Sequence, residues 1–529
     1  MEAKTKKIEN PRVRIAPSPT GFLHIGTART ALFNYLFAKK HNGKFILRIE
    51  DTDTKRSSKE FEEDITEGLK WLKIPWDEGV SPDDPKEEIG DYGPYRQSQR
   101  KEIYKKYIDK LLKEDKAYYC FCTKEELEAQ RQYQLSIGQP PKYNGKCRGL
   151  DKKIIKQNLE DKKPYIIRFK TPGDKVIFND LIKGKVEFDS TLLGDITIAK
   201  DEETPLYNLA AVIDDYEMKI THILRGEDHL SNTPKQILLS KALDLETPEY
   251  GHFPLILGPD KSKLSKRHGT VSVNQYKAQG YLPEAMVNFI SFIGWNPGTE
   301  KEIFSLNTLV KEFSLERIQK SSSIFNVKKL DWLNGFYIRN KSLPKLAELC
   351  IPYLVSEELV KPTFISEGHL VGIGPVEIKE KFIVKETGEK IEREQLQNII
   401  SLYQERLKYL SEISELTDFF FKKELNYEKD LLIWKDMQVN ELKTVFEAIE
   451  GVLKPVSALD WTRSHIQEIL VKKAQERGDK GWLLWPLRVA LTGKKSSAPP
   501  FDIAEILGKE KTLLRLKQAK EKINSGDEQ

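Results

Sequence analysis

The chain has 529 residues, enough for several domains, and its 86 Lys and Arg residues against 81 Asp and Glu leave a formal charge of +5. So modest a charge neither supports nor excludes a polyanionic partner such as RNA, because binding would need a local basic face. We find no run of about 18 apolar residues and no apolar core in residues 1–12, so neither a membrane helix nor a secretory signal is expected. The sequence predicts a cytoplasmic protein of three to five domains.

Residues 12–53 predict a strand, a helix and a second strand. An apolar strand at 13–15 is followed by a Pro- and Gly-rich turn at 17–21, and apolar residues then recur at helical spacing from 25 to 36. Asn42 and Gly43 form a left-handed stop signal before a strand at 45–49. This order is a βαβ unit, in which the strands run parallel and ligands lie at their carboxyl ends beside the helix N-terminus.

The residues expected at that position suit a phosphate-bearing ligand. Free amides and the positive end of the helix dipole attract phosphate, and Gly26 lets a nucleotide lie against the backbone. His24 can donate a hydrogen bond to phosphate without acting as a base. Taken alone, the tripeptide 24–26 is more often an ordinary turn with a surface histidine. The candidate residues are Ser18, Thr20, His24, Gly26, Thr27 and Glu50.

Helices are predicted after this unit at 57–72 and 100–112, with a loop at 76–94. From about 117 to 205 the pattern changes to short strands and turns. This segment holds Cys120, Cys122 and Cys147, and clustered thiols favour a metal in a reducing compartment over disulfides. Zinc sites usually take four donors, and all eight histidines lie outside 42–221, so the fourth ligand is Tyr143 or a water. Three buried free cysteines are the alternative.

An α/β pattern returns at about 205. A strand at 220–224 leads into Arg225, and an arginine just past a strand end suits bidentate capture of a carboxylate. An ion pair with Glu227 or Asp228 is an equally good interpretation. A later loop carries four cations that can follow a triphosphate, although such a run is usually a solvated turn. These cations are Lys261, Lys263, Lys266 and Arg267.

From 274 onward the chain is predicted to be mostly helical. We expect an apolar helix within 281–298 and a linker at 321–338 in which Trp332, Phe336 and Tyr337 pack. Long amphipathic helices are predicted at 393–421 and 461–477, and a disordered tail at 525–529.

Two of these segments resemble the signatures of class I aminoacyl-tRNA synthetases. Residues 24–27, His-Ile-Gly-Thr, resemble the HIGH motif as bacterial glutamyl-tRNA synthetases carry it, with Thr27 in the fourth position. Residues 263–267, Lys-Leu-Ser-Lys-Arg, resemble the KMSKS motif in its KLSKR form. Both occur in the expected order, with a split α/β pattern between them, and the similarity continues at intervals to the C-terminus.

The resemblance implies a fold class and a domain order. The fold is α/β: a Rossmann-like nucleotide-binding domain split by an inserted α+β acceptor-binding domain, followed by an all-helical anticodon-binding region. The implied boundaries are 1–112 and 206–262 for the two catalytic halves, 113–205 for the insertion with its zinc site, 263–342 for the KLSKR loop and a helical stem-contact domain, and 343–529 for the anticodon-binding region.

The resemblance also implies a reaction, partners and site residues. L-glutamate would be activated by ATP with Mg²⁺ to glutamyl-adenylate and transferred to the 3′-terminal ribose of tRNA(Glu) by a monomer. Glutamate would contact Arg14, Ser18, Glu50, Tyr207 and Arg225. ATP would contact Thr20, His24, Gly26, Thr27, Asp228, Ile256, Lys263, Ser265, Lys266 and Arg267, of which His24, Lys263 and Lys266 are the catalytic residues. Structural Zn²⁺ would be held by Cys120, Cys122, Tyr143 and Cys147, as in family members that use a tyrosine ligand.

Three other interpretations fit the sequence less well. A catalytically idle RNA-binding paralogue would not need His24, Lys266 and the glutamate residues. A shorter relative that attaches glutamate to a modified tRNA base lacks the helical C-terminal half. A glutaminyl-tRNA synthetase fits the 12–21 lead-in and Arg225 less well.

Overall fold

The computed structural model describes residues 9–53, 55–265, 267, 272–363, 381–476 and 478–524. The chain divides into two compact units, Met1–Lys277 with Pro283–Leu330 and Ala278–Leu282 with Asp331–Gln529. The tail at 525–529, for which disorder is predicted, lies outside the described residues. No helix in the described ranges is long and apolar enough to cross a membrane.

The described helices and strands have the following bounds. The α-helices are α1 Ile25–Lys40, α2 Lys59–Trp71, α3 Lys101–Lys113, α4 Lys124–Ser136, α5 Lys152–Glu160, α6 Tyr207–Glu217, α7 Thr233–Leu243, α8 Val273–Gln279, α9 Pro283–Ser291, α10 Leu306–Glu312, α11 Val327–Arg339, α12 Leu343–Ser356, α13 Arg393–Ser401, α14 Glu412–Thr417, α15 Val439–Leu453, α16 Arg463–Gln475, α17 Gly481–Thr492 and α18 Pro500–Asn524. The strands are β1 Arg12–Ile15, β2 Lys44–Leu47, β3 Glu78–Val80, β4 Glu88–Ile89, β5 Ala117–Cys120, β6 Ile166–Phe169, β7 Lys175–Asp180, β8 Gly184–Asp189, β9 Thr197–Ala199, β10 His222–Gly226, β11 Glu249–Phe253, β12 Ile256–Leu257, β13 Ser323–Ile324, β14 Val360–Pro362, β15 Lys381–Val384 and β16 Lys390–Glu392.

The βαβ unit predicted at the N-terminus is confirmed. Strands β1 and β2 pair in parallel, with Val13 opposite Phe45, and α1 connects them. The helix packs an almost fully buried surface against the sheet, and Asn42 takes the left-handed conformation (φ 55°) that ends it. The unit therefore places the N-terminus of α1 at the carboxyl ends of the two strands.

The loop predicted at 76–94 is wrong in part. Residues 78–80 form β3, which extends the sheet in parallel beside β2, and 88–89 form β4, which pairs antiparallel with β3. Both strands are too short to show an alternating pattern in a segment rich in Pro, Gly and Asp. Tertiary pairing, and not local preference, makes them strands.

The second catalytic segment joins the first through backbone and buried charges. β10 and β11 pair in parallel, and Thr221, one residue before β10, donates its N–H to the carbonyl of Arg12 in β1. Behind the sheet, Arg48 contacts Asp214 and Asp215 of α6. The expected split of one α/β domain is therefore visible as direct bonding between 12–48 and 214–221.

The intervening segment contains more helix than the sequence pattern suggested. Strands β5, β6 and β9 form an antiparallel sheet, and β7 with β8 forms a hairpin. Helices α4 and α5 were not predicted. Neither helix contains a buried residue, so no strong apolar periodicity marks it in the sequence. Thr123 and Glu126 form a capping box at the start of α4, which is a signal that the sequence offered.

The second unit is helical, with three departures from the expected pattern. The helix predicted at 393–421 is broken: α13 ends at Ser401, and only α14 and a short 3₁₀ turn follow. A three-stranded antiparallel sheet, β14–β15–β16, lies among the helices, so the region is not all-helical. Trp332 was expected to pack but is exposed, although its ring contacts Phe336.

Candidate active site

A cavity of about 560 Å³ opens at the carboxyl ends of β1 and β10, beside the N-terminus of α1. Eleven predicted site residues line it: Arg14, Ser18, His24, Gly26, Thr27, Glu50, Tyr207, Arg225, Asp228, Ile256 and Lys263. Thr20, Ser265 and Arg267 are not among its lining residues, and Lys266 lies outside the described residues. The cavity thus unites residues from both catalytic segments.

His24 is the N-cap residue of α1, and the hydrogen bond that it accepts determines which ring nitrogen carries the hydrogen. Its Nδ1 accepts a hydrogen bond from the N–H of Gly26 at 3.0 Å. Burial, followed by the charge of Lys263, lowers the pKa of His24, so the ring is neutral near pH 7 and carries its hydrogen on Nε2. His24 therefore caps the helix with one nitrogen and has a donor left for an anion.

Arg225 lies at the end of β10 and has only neutral hydrogen-bonding partners. Its Nε donates to Nε2 of His252 at 3.1 Å, and its Nη2 donates to Thr233 Oγ1 and Gln236 Oε1, each at 2.8 Å. Its Nη1 is buried and has no hydrogen-bond partner. An unpaired guanidinium nitrogen beside a cavity is suited to a carboxylate.

The ion-pair interpretation of Arg225 is wrong. Glu227 binds Lys183 and the backbone N–H of Leu255, and Asp228 binds Lys263. Both carboxylates near Arg225 in sequence therefore have other partners.

Arg14 differs from Arg225 because its charge is already balanced. Its Nε lies 3.0 Å from Asp215 Oδ1, and its Nη2 lies 3.4 Å from Oδ2. Glu50 contacts Arg48 at 3.2 Å, and burial raises its pKa even though Arg48 and Arg14 favour its charged form. Glu50 is thus a buried carboxylate at the cavity that a ligand cation would stabilise in its charged form.

The KLSKR loop is attached to the same cavity. Leu264 donates its N–H to the carbonyl of Ile256 in β12, and Lys263 Nζ lies 3.1 Å from Asp228 Oδ2. Burial opposes the charge of Asp228, but Lys263 outweighs it and the pKa of Asp228 lies below its usual range. Lys263 therefore places an ammonium group at the cavity. Its present partner is a single carboxylate, which a more highly charged anion could replace.

Four cavity residues with polar or charged side chains were not singled out from the sequence. They are Arg29, Thr30, His229 and Asn232. His229 Nδ1 lies 3.1 Å from the hydroxyl of Tyr207, and burial lowers the pKa of His229 to about 4. The sequence feature that could have indicated His229 is its position four residues after Arg225. Arg29 is buried on α1 and donates to the carbonyl of Pro254, a partner that no sequence pattern predicts.

The three cysteines of the insertion meet at one point, together with Tyr143. The sulfur atoms of Cys120, Cys122 and Cys147 lie within 4.8 Å of one another, and Cys122 Sγ lies 3.6 Å from Cys147 Sγ. The Tyr143 hydroxyl is 3.4 Å from the sulfurs of Cys120 and Cys122. Sulfur ligands of a tetrahedral zinc are separated by about 3.8 Å, so this donor set fits zinc.

Comparison with known proteins agrees with this geometry. A family model described as the catalytic domain of class I tRNA synthetases (E and Q) matches residues 10–332, and an anticodon binding domain matches 345–520. Glutamate–tRNA ligase 1 of Caldicellulosiruptor saccharolyticus is 46% identical over 96% of this chain and 98% of its own length. The glutamate–tRNA ligase of Carboxydothermus hydrogenoformans is 44% identical over 94% of this chain and 97% of its own.

Solved structures give the same result. A glutamate tRNA ligase from Elizabethkingia meningosepticum, crystallised in complex with its amino acid, has a TM-score of 0.79 and 33% identity over 97% of this chain and 99% of that one. The catalytic fold and the cavity at its strand ends are those of a class I aminoacyl-tRNA synthetase. The chain belongs to the glutamate–tRNA ligase family within that class.

Proposed function

We infer that the cavity carries out the reaction of a glutamate–tRNA ligase, the enzyme class of the family. The α-carboxylate of L-glutamate attacks the α-phosphorus of ATP, forming glutamyl-adenylate and releasing pyrophosphate. The 2′-hydroxyl of the terminal tRNA ribose, by analogy with class I, then takes the acyl group and AMP leaves. An ionised carboxylate needs no general base, so catalysis consists of positioning and charge stabilisation.

The observation that carries this proposal is the unpaired Nη1 of Arg225. Three other buried arginines near the cavity, Arg14, Arg48 and Arg100, have carboxylate partners in Glu50, Asp214 and Asp215. Arg225 lacks a carboxylate among its hydrogen-bonding partners. The side-chain carboxylate of glutamate would supply it.

The remaining cavity residues suit the other groups of the amino acid. Glu50 would pair with the ammonium group, and Ser18 also lines the cavity. Tyr207 would assist Arg225 through its hydroxyl. Arg14 would assist from behind, with less charge to offer because Asp215 already engages it.

ATP, with the Mg²⁺ that accompanies its phosphates, would lie along the start of α1. His24 would donate to phosphate through Nε2, and Gly26 and Thr27 would offer backbone N–H groups. Lys263 would counter the charge that grows on pyrophosphate, and Lys266 is proposed for the same task from its place in the motif. Thr20, Asp228, Ile256, Ser265 and Arg267 complete the proposed ATP contacts.

We propose that Cys120, Cys122, Cys147 and Tyr143 hold a structural zinc ion, which would tie β5 to the turn at 143–147. Three thiols and a phenol around one point support this assignment.

The domain boundaries given by the sequence, the cytoplasmic location and the monomeric state are proposals that rest on the family resemblance. The partner RNA would be tRNA(Glu), as the names of the relatives indicate.

The test of this site is the choice between glutamate and glutamine. We expect Arg225→Gln to lower the rate of glutamate activation far more than that of glutamine, because a charged guanidinium donor favours an ionised carboxylate over a neutral amide. Loss of a hydrogen bond to a charged group costs about 1.5–3 kcal/mol, so the preference should narrow roughly 10- to 100-fold. ATP–pyrophosphate exchange with each amino acid, run with tRNA present, measures it.

Arg56→Gln is the matched control, since Arg56 is exposed and bonds Asp53 outside the cavity. A melting temperature close to that of the unmodified enzyme would show that Arg225→Gln still folds. If that variant keeps the full preference for glutamate, Arg225 does not read the side chain.

A further inference from the structure

A buried pair, Asp180 and His252, lies directly behind Arg225. His252 Nδ1 is 2.5 Å from Asp180 Oδ2, and both side chains are completely inaccessible to solvent. We propose that Asp180 and His252 are positioning residues that hold the guanidinium of Arg225 in register with the substrate carboxylate, and so set the preference for glutamate over glutamine. This inference rests on the proposed role of Arg225.

The hydrogen bonds permit only one arrangement of protons on His252. Arg225 Nε–H can only donate, so His252 Nε2, at 3.1 Å, must accept. Nδ1 then carries the hydrogen and donates it to Asp180. Burial lowers the pKa of His252, in agreement with a neutral ring. The Thr233 hydroxyl, which accepts from Arg225, lies 3.1 Å from the same Nε2 and can give it its own hydrogen.

Asp180 is itself held firmly, at the end of β7 in the inserted segment. Its Oδ1 lies within hydrogen-bond distance of three backbone N–H groups, at 3.0 Å from Ile182, 2.8 Å from Lys183 and 3.2 Å from His252. Oδ2 is consequently the oxygen that faces the imidazole. The backbone of the β7–β8 turn thus determines, through Asp180 and His252, which way Arg225 points.

The remaining contacts of Arg225 do not fix its orientation as strictly. Thr233 and Gln236 both bind Nη2, at the end of the guanidinium, whereas His252 alone holds Nε. With Nε and Nη2 both anchored, Nη1 is the nitrogen left for the ligand. Loss of the Nε anchor would let the planar group turn and move Nη1 away from the substrate carboxylate.

Asp180→Asn is the sharpest test because it reverses the proton arrangement with little change of shape. Three backbone donors keep the amide oxygen at the Oδ1 position, so the NH₂ group faces Nδ1. His252 must then carry its hydrogen on Nε2, against the Nε–H of Arg225; such a change at an Asp–His pair produces the wrong tautomer. We expect the KM for glutamate to rise about 10- to 100-fold, with kcat and the KM for ATP changed much less.

His252→Gln provides the matching rescue. A glutamine can donate its NH₂ to Asp180 and accept from Arg225 through its oxygen, so it preserves the order of donor and acceptor. We expect it to retain most of the glutamate preference, whereas His252→Leu, which offers neither group, loses it. Asp195→Asn is the control, since Asp195 is another buried carboxylate of the insertion and binds Tyr118 and Thr171, not His252.

The outcomes distinguish the positioning role of Asp180 and His252 from the proposed role of Arg225. Each variant is assayed for activation of glutamate and glutamine with tRNA present, and for melting temperature. A folded Asp180→Asn enzyme with unchanged KM and preference would overturn the positioning role, while an effect of Arg225→Gln in the same assay would leave the proposed function intact. If Asp180→Asn does not fold, equal loss of preference in His252→Gln and His252→Leu would overturn it instead.

Discussion

At the scale of single residues, His24 makes a structural contact through one ring nitrogen and is proposed to make a functional contact through the other. Nδ1 accepts a hydrogen bond from the N–H of Gly26 in the first turn of α1, while Nε2 carries the hydrogen that would be donated in a hydrogen bond to an anion. An ordinary N-cap needs only the first of these contacts. The two contacts use different atoms, so substitutions can separate them.

We expect His24→Asn to leave the melting temperature nearly unchanged and to slow glutamate activation by about 10²–10³, the usual cost of losing one transition-state donor. Asparagine is a favoured N-cap residue and replaces Nδ1 but not Nε2. His24→Ala should be equally slow and also less stable, by about 1 kcal/mol. Activation near the unmodified rate in His24→Asn would limit His24 to capping.

Residue types and motif spacing predicted most of the cavity, but not the state of its charges. The sequence could not decide whether Arg225 pairs with Glu227 or Asp228, because the competing partners Lys183 and Lys263 are distant along the chain. Similarly, no local signal links Arg14 to Asp215, which lies about 200 residues later. Pairing of buried charges is a property of the tertiary structure.

At the scale of elements, the cluster of Cys120, Cys122, Cys147 and Tyr143 joins β5 to the turn at 143–147. We expect purified, reduced protein to contain one zinc ion per chain and Cys147→Ser to release it, because serine is a poor zinc ligand compared with a thiolate. Elemental analysis measures the zinc, and limited proteolysis of the insertion measures its loosening. Protein purified without chelator that contains no zinc would contradict this assignment.

Tyr143→Phe distinguishes the fourth ligand. If the phenol binds the metal, zinc affinity should fall, whereas with water in that position the affinity should be unchanged. Cys350→Ser is the control, since Cys350 is a buried thiol in α12, remote in sequence from the cluster.

Elements were predicted where hydrophobic periodicity is strong and missed where it is weak. The βαβ unit was predicted correctly because the apolar residues of its helix recur at helical spacing and are buried. Helices α4 and α5 have no buried residue, and β3 has three residues and depends on pairing with β2. The break after α13 was missed because the amphipathic pattern continues through the turn.

At the scale of the whole molecule, Asp214 connects distant parts of the catalytic unit. Its oxygens lie 2.6 Å from Arg100 Nε, 2.7 Å from Gln97 Nε2 and 3.0 Å from the Tyr104 hydroxyl. Asp214 and Arg100 are both shielded from solvent, so removal of the carboxylate would leave a buried charge without its partner.

We expect Asp214→Ala to destabilise the catalytic unit by about 3–5 kcal/mol, the usual cost of removing one member of a buried pair. Urea unfolding of the full chain, followed by tryptophan fluorescence and by activation activity, measures the loss. Asp91→Ala, at an exposed position, is the control. Unfolding midpoints within error of each other for the two variants would show that this network does not hold the split domain together.

The most direct test of the whole account is the transfer of labelled amino acid to purified tRNA(Glu). With ATP and Mg²⁺, the full chain should attach glutamate to this tRNA and should not attach glutamine. Absence of glutamate transfer, or transfer of glutamine at a comparable rate, would contradict it.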